Sequence, residues 1–294
     1  MSQKGKLYLK IAIAIFIVPL FFYMLSILER NSISEHDNNN QEQVDSEEKD
    51  KEKEKEKDKD NNKEEDKDKN KDKEKDKDKE KIYWGVDSAN LTDDKFYSCV
   101  VDHFDKPAVW GRYLGDIENV STALTKDEIK FLHSKDIKIL VIYNLITDAR
   151  GYDHGKDHAN EAIKMAEQLG VPEGKAIFAD IEPDFQVDAE FIKGWFDEVS
   201  KSKYEPGIYG VFSEEQKLFS VFGAAAEENK DLKNKTILWT AYPQEGITSK
   251  EKAPEYKPVA PEGSFVLGWQ YGIDAETCNI DTNLFKGELL NYLW

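Results

Sequence analysis

The chain has 294 residues, with 41 basic and 59 acidic side chains and a formal net charge of −18. That balance excludes a protein that grips nucleic acid or another polyanion through a basic face. Its two cysteines lack the paired spacing of a zinc ribbon or finger.

The stretch from Leu7 to Leu28 is almost wholly apolar, with Lys10 its one charge. It is long enough to cross a bilayer as a helix. Lys4, Lys6 and Lys10 stand at or before its start, and Glu29 and Arg30 follow it. The positive-inside rule then keeps the N-terminus cytoplasmic and exports the rest. A cleaved signal peptide is the competing reading, but no small-residue cleavage site follows. Residues 1–30 are expected to form a cytoplasmic tip and transmembrane anchor, making the membrane one partner through this N-terminal helix.

Residues 31–81 cannot build a core. From Asp45 to Lys81 nearly every residue is Lys, Glu, Asp or Asn. In runs such as KEKEKEKDKD the i,i+4 partners carry like charge, which opposes a helix. A disordered charged linker is predicted, spanning roughly 40 Å as a flexible chain.

Residues 82–294 remain as one domain, with 22 basic and 37 acidic side chains and a net charge of −15. Strand-like runs are predicted at 83–87, 108–114, 137–143, 175–181, 207–211, 236–241, 265–271 and 279–283. Helical patterns separate the first six. They cover 93–104, a stretch opened by the capping signature Thr125-x-x-Glu128, about 158–169, 188–202, 213–222 and 225–232. No clear helix lies between the last two strands. The alternation implies an α/β fold with a parallel sheet. Eight strands in a domain of this length fit a TIM-like (β/α) barrel, irregular in its last three strands. An open doubly wound sheet is the alternative, but no Gly-x-Gly-x-x-Gly or phosphate loop follows any strand.

The strongest chemical signal is the run from Ala176 to Glu182. Strand side chains alternate, so Ala176, Phe178, Asp180 and Glu182 share one face. If that face lines the lumen, two carboxylates sit at the C-terminal end of a central strand, where barrel active sites form. Asp87 and Asp281 mark two further strand ends. Burying such acids is costly unless they share protons or partners. The alternative is a structural network with Arg112, which could otherwise neutralise part of this charge or bind substrate. Tyr143, Tyr209, Trp239, Tyr242 and Trp269 lie near strand ends, with Asn144 and Gln270 as polar neighbours. Together they are candidates to bind a sugar by stacking and hydrogen bonding, although each aromatic alone also fits core packing. Cys99 and Cys278 form a candidate disulfide; two buried free thiols are the alternative. Asp153, His154, Asp157 and His158 offer no evident third metal ligand and read as a solvated loop or helix start. No metal and no cofactor is expected.

The ordered set Gly85-Val86-Asp87, Phe178-Ala179-Asp180-Ile181-Glu182, Gly207-Ile208-Tyr209, Trp269-Gln270-Tyr271 and Ile280-Asp281-Thr282-Asn283 resembles the glycoside hydrolase family 25 lysozymes. Gly111-Arg112-Tyr113-Leu114, Leu124 to Ile129 and Val141 to Asn144 bring it nearer still to the glycoside-hydrolase-like barrel family related to them. The resemblance covers nearly all of 82–294. It implies five β/α units followed by three strands. It also implies a glycosidase of the bacterial cell surface acting on cell-wall glycan, peptidoglycan or another N-acetylhexosamine polymer. Glu182 would be the general acid and Asp180 would orient the N-acetyl group, while Asp87 and Asp281 would bind sugar or water and tune charge. Ser88-Ala89-Asn90 departs from the aromatic-containing segment of the lysozymes.

Overall fold

A computed structural model describes residues 78–294. The expected anchor and all but the end of the linker fall on residues 1–77, outside the described residues. Eight strands close into a barrel in sequence order. They are β1 (Ile82–Asp87), β2 (Val109–Tyr113), β3 (Lys138–Tyr143), β4 (Ala176–Ile181), β5 (Glu205–Gly210), β6 (Ile237–Thr240), β7 (Phe265–Gly272) and β8 (Asp281–Lys286). Between them run α1 (Asp94–Phe104), α2 (Lys126–Ser134), α3 (Tyr152–Leu169), α4 (Ala189–Lys201), α5 (Lys217–Glu228) and α6 (Lys230–Lys235).

Local chemistry explains the helix ends. Asp93, Thr125 and Asp188 stand in extended backbone, and each side chain accepts an amide N–H of the first turn of α1, α2 and α4. Gly170, with φ of 89°, stops α3 in a left-handed turn. α3 begins at Tyr152, a turn and a half before the expected start. Gly151 opens it, its N–H held by the Asp188 carboxylate at 3.0 Å. The Asp188 side chain therefore ties the start of α3 to the start of α4. After β5 the helices are also displaced from expectation, to Lys217–Glu228 and Lys230–Lys235.

Strands β1 to β7 run parallel, whereas β8 is antiparallel to both β7 and β1. The reason is connection length. Only residues 273–280 join β7 to β8, and a parallel crossover needs a dozen residues or more. The start of β8 thus lies at the same rim as the ends of the other strands, and Asp281 pairs in register with Asp87. β8 itself opens at Asp281, two residues after the expected start.

Two apolar layers result. Val109, Leu140, Ile142, Ala176, Phe178, Ile237, Trp239, Leu267 and Phe285 fill the lumen. The opposite strand faces pack on the helices, with Val86, Trp110, Val141, Ile177, Ile181 and Ile208 among them. The lumen is therefore solid below, and only the rim at the C-terminal ends is free for chemistry. Cys99 of α1 and Cys278 of the β7–β8 loop form a disulfide that closes the domain end to end.

Candidate active site

Four carboxylates converge at that rim. Asp87 ends β1, Asp180 lies near the end of β4, Glu182 follows β4, and Asp281 opens β8. Gly111 makes room for the first, since a Cβ there would meet the Asp87 Cβ at 2.6 Å. Asp87 and Asp180 are 2% and 7% exposed, while Glu182 and Asp281 are half-buried at the opening.

Neutral donors hold the β1–β8 side. Asn283 Nδ2 donates to Asp87 Oδ1 at 2.6 Å. Gln270 Nε2 donates to both Asp87 oxygens, at 3.1 and 3.3 Å, and reaches Asp281 Oδ2 at 3.2 Å. The two amides are oriented in turn. The Tyr209 hydroxyl donates to Gln270 Oε1 at 2.7 Å, and Trp239 Nε1 donates to Asn283 Oδ1 at 2.8 Å. The Asp274 backbone N–H donates to Asp281 Oδ1 at 2.7 Å.

On the β4 side the two acids partner each other. Burial pushes Asp180 well above the usual carboxylate range, and the adjacent Glu182 adds to the shift by its charge and by a hydrogen bond. Asp180 Oδ1 is buried with no hydrogen-bond partner, which suits a neutral carboxyl better than an ion. Burial likewise raises Glu182 to about 6, against the lowering effect of its bond to Asp180. The two behave as a dyad retaining a proton near neutrality. Burial raises Asp87 to about 6 despite its bonds to Asn283 and Gln270 and the field of Arg112. Burial and the Asp87 charge lift Asp281 well above its ordinary value. Tyr113 and Tyr209 stand among all these charges, their phenols raised first by burial and then by the acids.

Several expected site residues lie elsewhere. Arg112 is fully buried on the outer face of β2, so it cannot meet a ligand. Its Nε donates to Glu128 Oε1 at 2.6 Å, Nη1 to the Ser88 carbonyl at 2.6 Å, and Nη2 to the Thr122 carbonyl at 2.8 Å. Glu128 also accepts the Thr92 N–H at 2.8 Å, so it secures the β1–α1 loop instead of reaching back to its own helix cap. Tyr143 points outward from β3, stacks on Trp195, and donates to Glu161 at 2.7 Å. Trp269 also points outward, with Nε1 on the Pro243 carbonyl at 2.8 Å. Asn144 braces the loop after β2 through Gly115 and Ser121. Tyr242 sits half-buried beyond β6, its main chain bonded to Thr240 and Val259, and does not join the carboxylates. Tyr209, Trp239 and Gln270 do converge on them. Tyr113 and Asn283 stand at the site too, beyond the residues expected there. Their parity with Gly111 and Asp281 along the same strands is the signal that places them inward.

A family profile matches residues 106–259, that of the Rv2525c-like, glycoside hydrolase-like domain. The chain belongs to this family. An uncharacterized B. stearothermophilus protein, known from a 1.07 Å crystal structure, resembles it with 39% identity and a TM-score of 0.71, covering 72% of this chain and 100% of that one. The Mycobacterium tuberculosis Tat-secreted protein Rv2525c, in complex with L-tartrate, gives 15% identity and a TM-score of 0.46 over 68% of this chain and 94% of that one. A muramidase from Acremonium alcalophilum gives 13% and 0.46 over 71% and 99%. No curated protein matches the chain.

Proposed function

We propose that this protein is a membrane-anchored, extracytoplasmic glycosidase that cuts peptidoglycan or a related N-acetylhexosamine polymer, with Glu182 as general acid. One observation carries the reading: the Asp180 and Glu182 carboxyls lie together at the end of β4, Asp180 buried and Glu182 the member of the pair that faces the opening. Glu182, its carboxyl raised by burial, is placed to give its own proton to a glycosidic oxygen and is left as the carboxylate when that bond breaks. A general acid needs a pKa near the working pH, and about 6 meets that need. Asp180 then orients the N-acetyl group, whose carbonyl can attack the anomeric carbon in place of a protein nucleophile. Asp87 and Asp281, spaced by Gln270, hold sugar hydroxyls or water. The membership of a glycoside hydrolase-like family supports this chemistry without fixing the substrate.

The apolar stretch from Leu7 to Leu28 supports anchoring, and the Cys99–Cys278 bond suits an oxidising exterior. A second reading, a barrel that binds glycan or a surface protein without cutting, is favoured by the near-complete burial of Asp87 and Asp180. Co-sedimentation with purified cell wall, paired with an assay of soluble reducing ends, separates the two. Glycosidase action predicts product release that falls about 10²–10⁴-fold in Glu182→Gln. Wall binding with no product in either protein supports the second reading.

A further inference from the structure

On the outer surface of the barrel, α3 carries two histidines one turn apart. His154 Nε2 and His158 Nε2 face each other at 3.0 Å, with ring centroids 4.5 Å apart. The surrounding bonds decide where the ring protons lie. The Tyr143 hydroxyl has one proton, and it goes to Glu161 Oε2, a carboxylate that only accepts. Toward His158 Nδ1, at 2.9 Å, the same hydroxyl oxygen must therefore accept, and Nδ1 carries the hydrogen. His154 Nδ1 lies 3.3 Å from the Arg150 carbonyl, which also only accepts, so it too is protonated. Both Nε2 atoms thus present bare lone pairs to each other. Two lone pairs held this close repel unless a positive charge lies between them.

We propose that His154 and His158 form a binding site for a divalent transition-metal ion of the zinc, nickel or copper class. The ligand type fits, since neutral imidazole suits these ions. The spacing fits as well. Two Zn–N bonds of about 2.0–2.1 Å at a tetrahedral angle span roughly 3.4 Å, so the rings need open by only a few tenths of an ångström. A carboxylate behind a ligating histidine is the usual outer support of such sites, fixing the tautomer and ring angle. Here Glu161 acts through the Tyr143 hydroxyl, which is itself stacked on Trp195. Phe191 of α4 backs both rings, at 5.9 and 5.8 Å. It comes this close because Gly155 and Gly194 let the two helices touch backbone to backbone. Arg150, the adjacent cation, is taken up by Asp148 at 2.6 Å. Water completes the coordination shell.

The test is equilibrium dialysis of the full-length chain in detergent against Zn²⁺ as the sole metal. The wild type should bind one more equivalent than His154→Ala and than the His154→Ala/His158→Ala pair. His154 is exposed, so its single variant keeps the fold, as circular dichroism will verify. Tyr143→Phe keeps both ligands but loses their support, and should weaken binding about 10–100-fold. Equal stoichiometry and affinity in the wild type and the histidine variants would overturn the proposal. So would a pair that takes up a single shared proton by NMR and ignores zinc.

Discussion

Arg112 and Glu128 are at most 1% exposed in their side chains, and they meet at 2.6 Å. Replacing Arg112 with Met keeps much of the volume but removes every donor. Glu128 is then a buried charge left with the Thr92 N–H, and the Ser88 and Thr122 carbonyls lose their partner. Breaking one side of a buried pair costs about 3–5 kcal/mol. At roughly 2–4 °C per kcal/mol for a domain of this size, the melting temperature should fall by about 6–20 °C. The double variant Arg112→Met/Glu128→Leu removes both charges together, and should cost less than the sum of the singles. Thermal unfolding by circular dichroism on all four proteins supplies the cycle. An unchanged melting temperature in Arg112→Met, with weakened wall binding, would return Arg112 to the ligand and refute its outward placement.

Other outcomes follow from the same geometry. All four rim acids bind protons more tightly folded than unfolded; for Asp87 and Glu182 the gain in stability is full below about pH 4 and is lost as pH rises through about 6, and Asp180 and Asp281 act in the same direction. The melting temperature should be higher at pH 5 than at pH 8, and Asp180→Asn should raise the value at pH 8; a variant with an unaltered pH slope would contradict the shared proton. Asn283→Ala strips Asp87 of its shortest bond and leaves Trp239 Nε1 unpaired, at a cost of about 1–3 kcal/mol read by urea unfolding. Cys99→Ser reopens a loop closed across 179 residues, which by chain entropy costs about 5 kcal/mol. A melting temperature that ignores both this variant and added reductant would rule out the bond's role in closing the barrel.

The barrel was legible because each strand is a short apolar run bounded by helix caps, and period-two alternation carried Asp180 and Glu182 to the lumen. The same rule, counted from Gly111, sends Arg112 outward, and counted from Leu140 and Ile142 it sends Tyr143 outward. Trp269 follows suit beside Gln270. Their chemistry suits a sugar site, but their parity along the strands turns them away from it. The reversal of β8 leaves no mark on the strand itself and is written only in the shortness of the segment before it. The Glu128 bond to Arg112 was hidden by a local alternative, the capping box, which the tertiary ion pair outcompetes. The early start of α3 depended on Asp188, a residue far along the chain.

The proposed glycosidase depends on Glu182 delivering a proton to a glycosidic oxygen. Mass spectrometry of the soluble fraction from purified peptidoglycan, incubated with wild-type protein and with Glu182→Gln, tests it most directly. Sugar fragments bearing new reducing ends should appear with the wild type and nearly disappear in the variant. Identical fragments at identical rates from both proteins would contradict it.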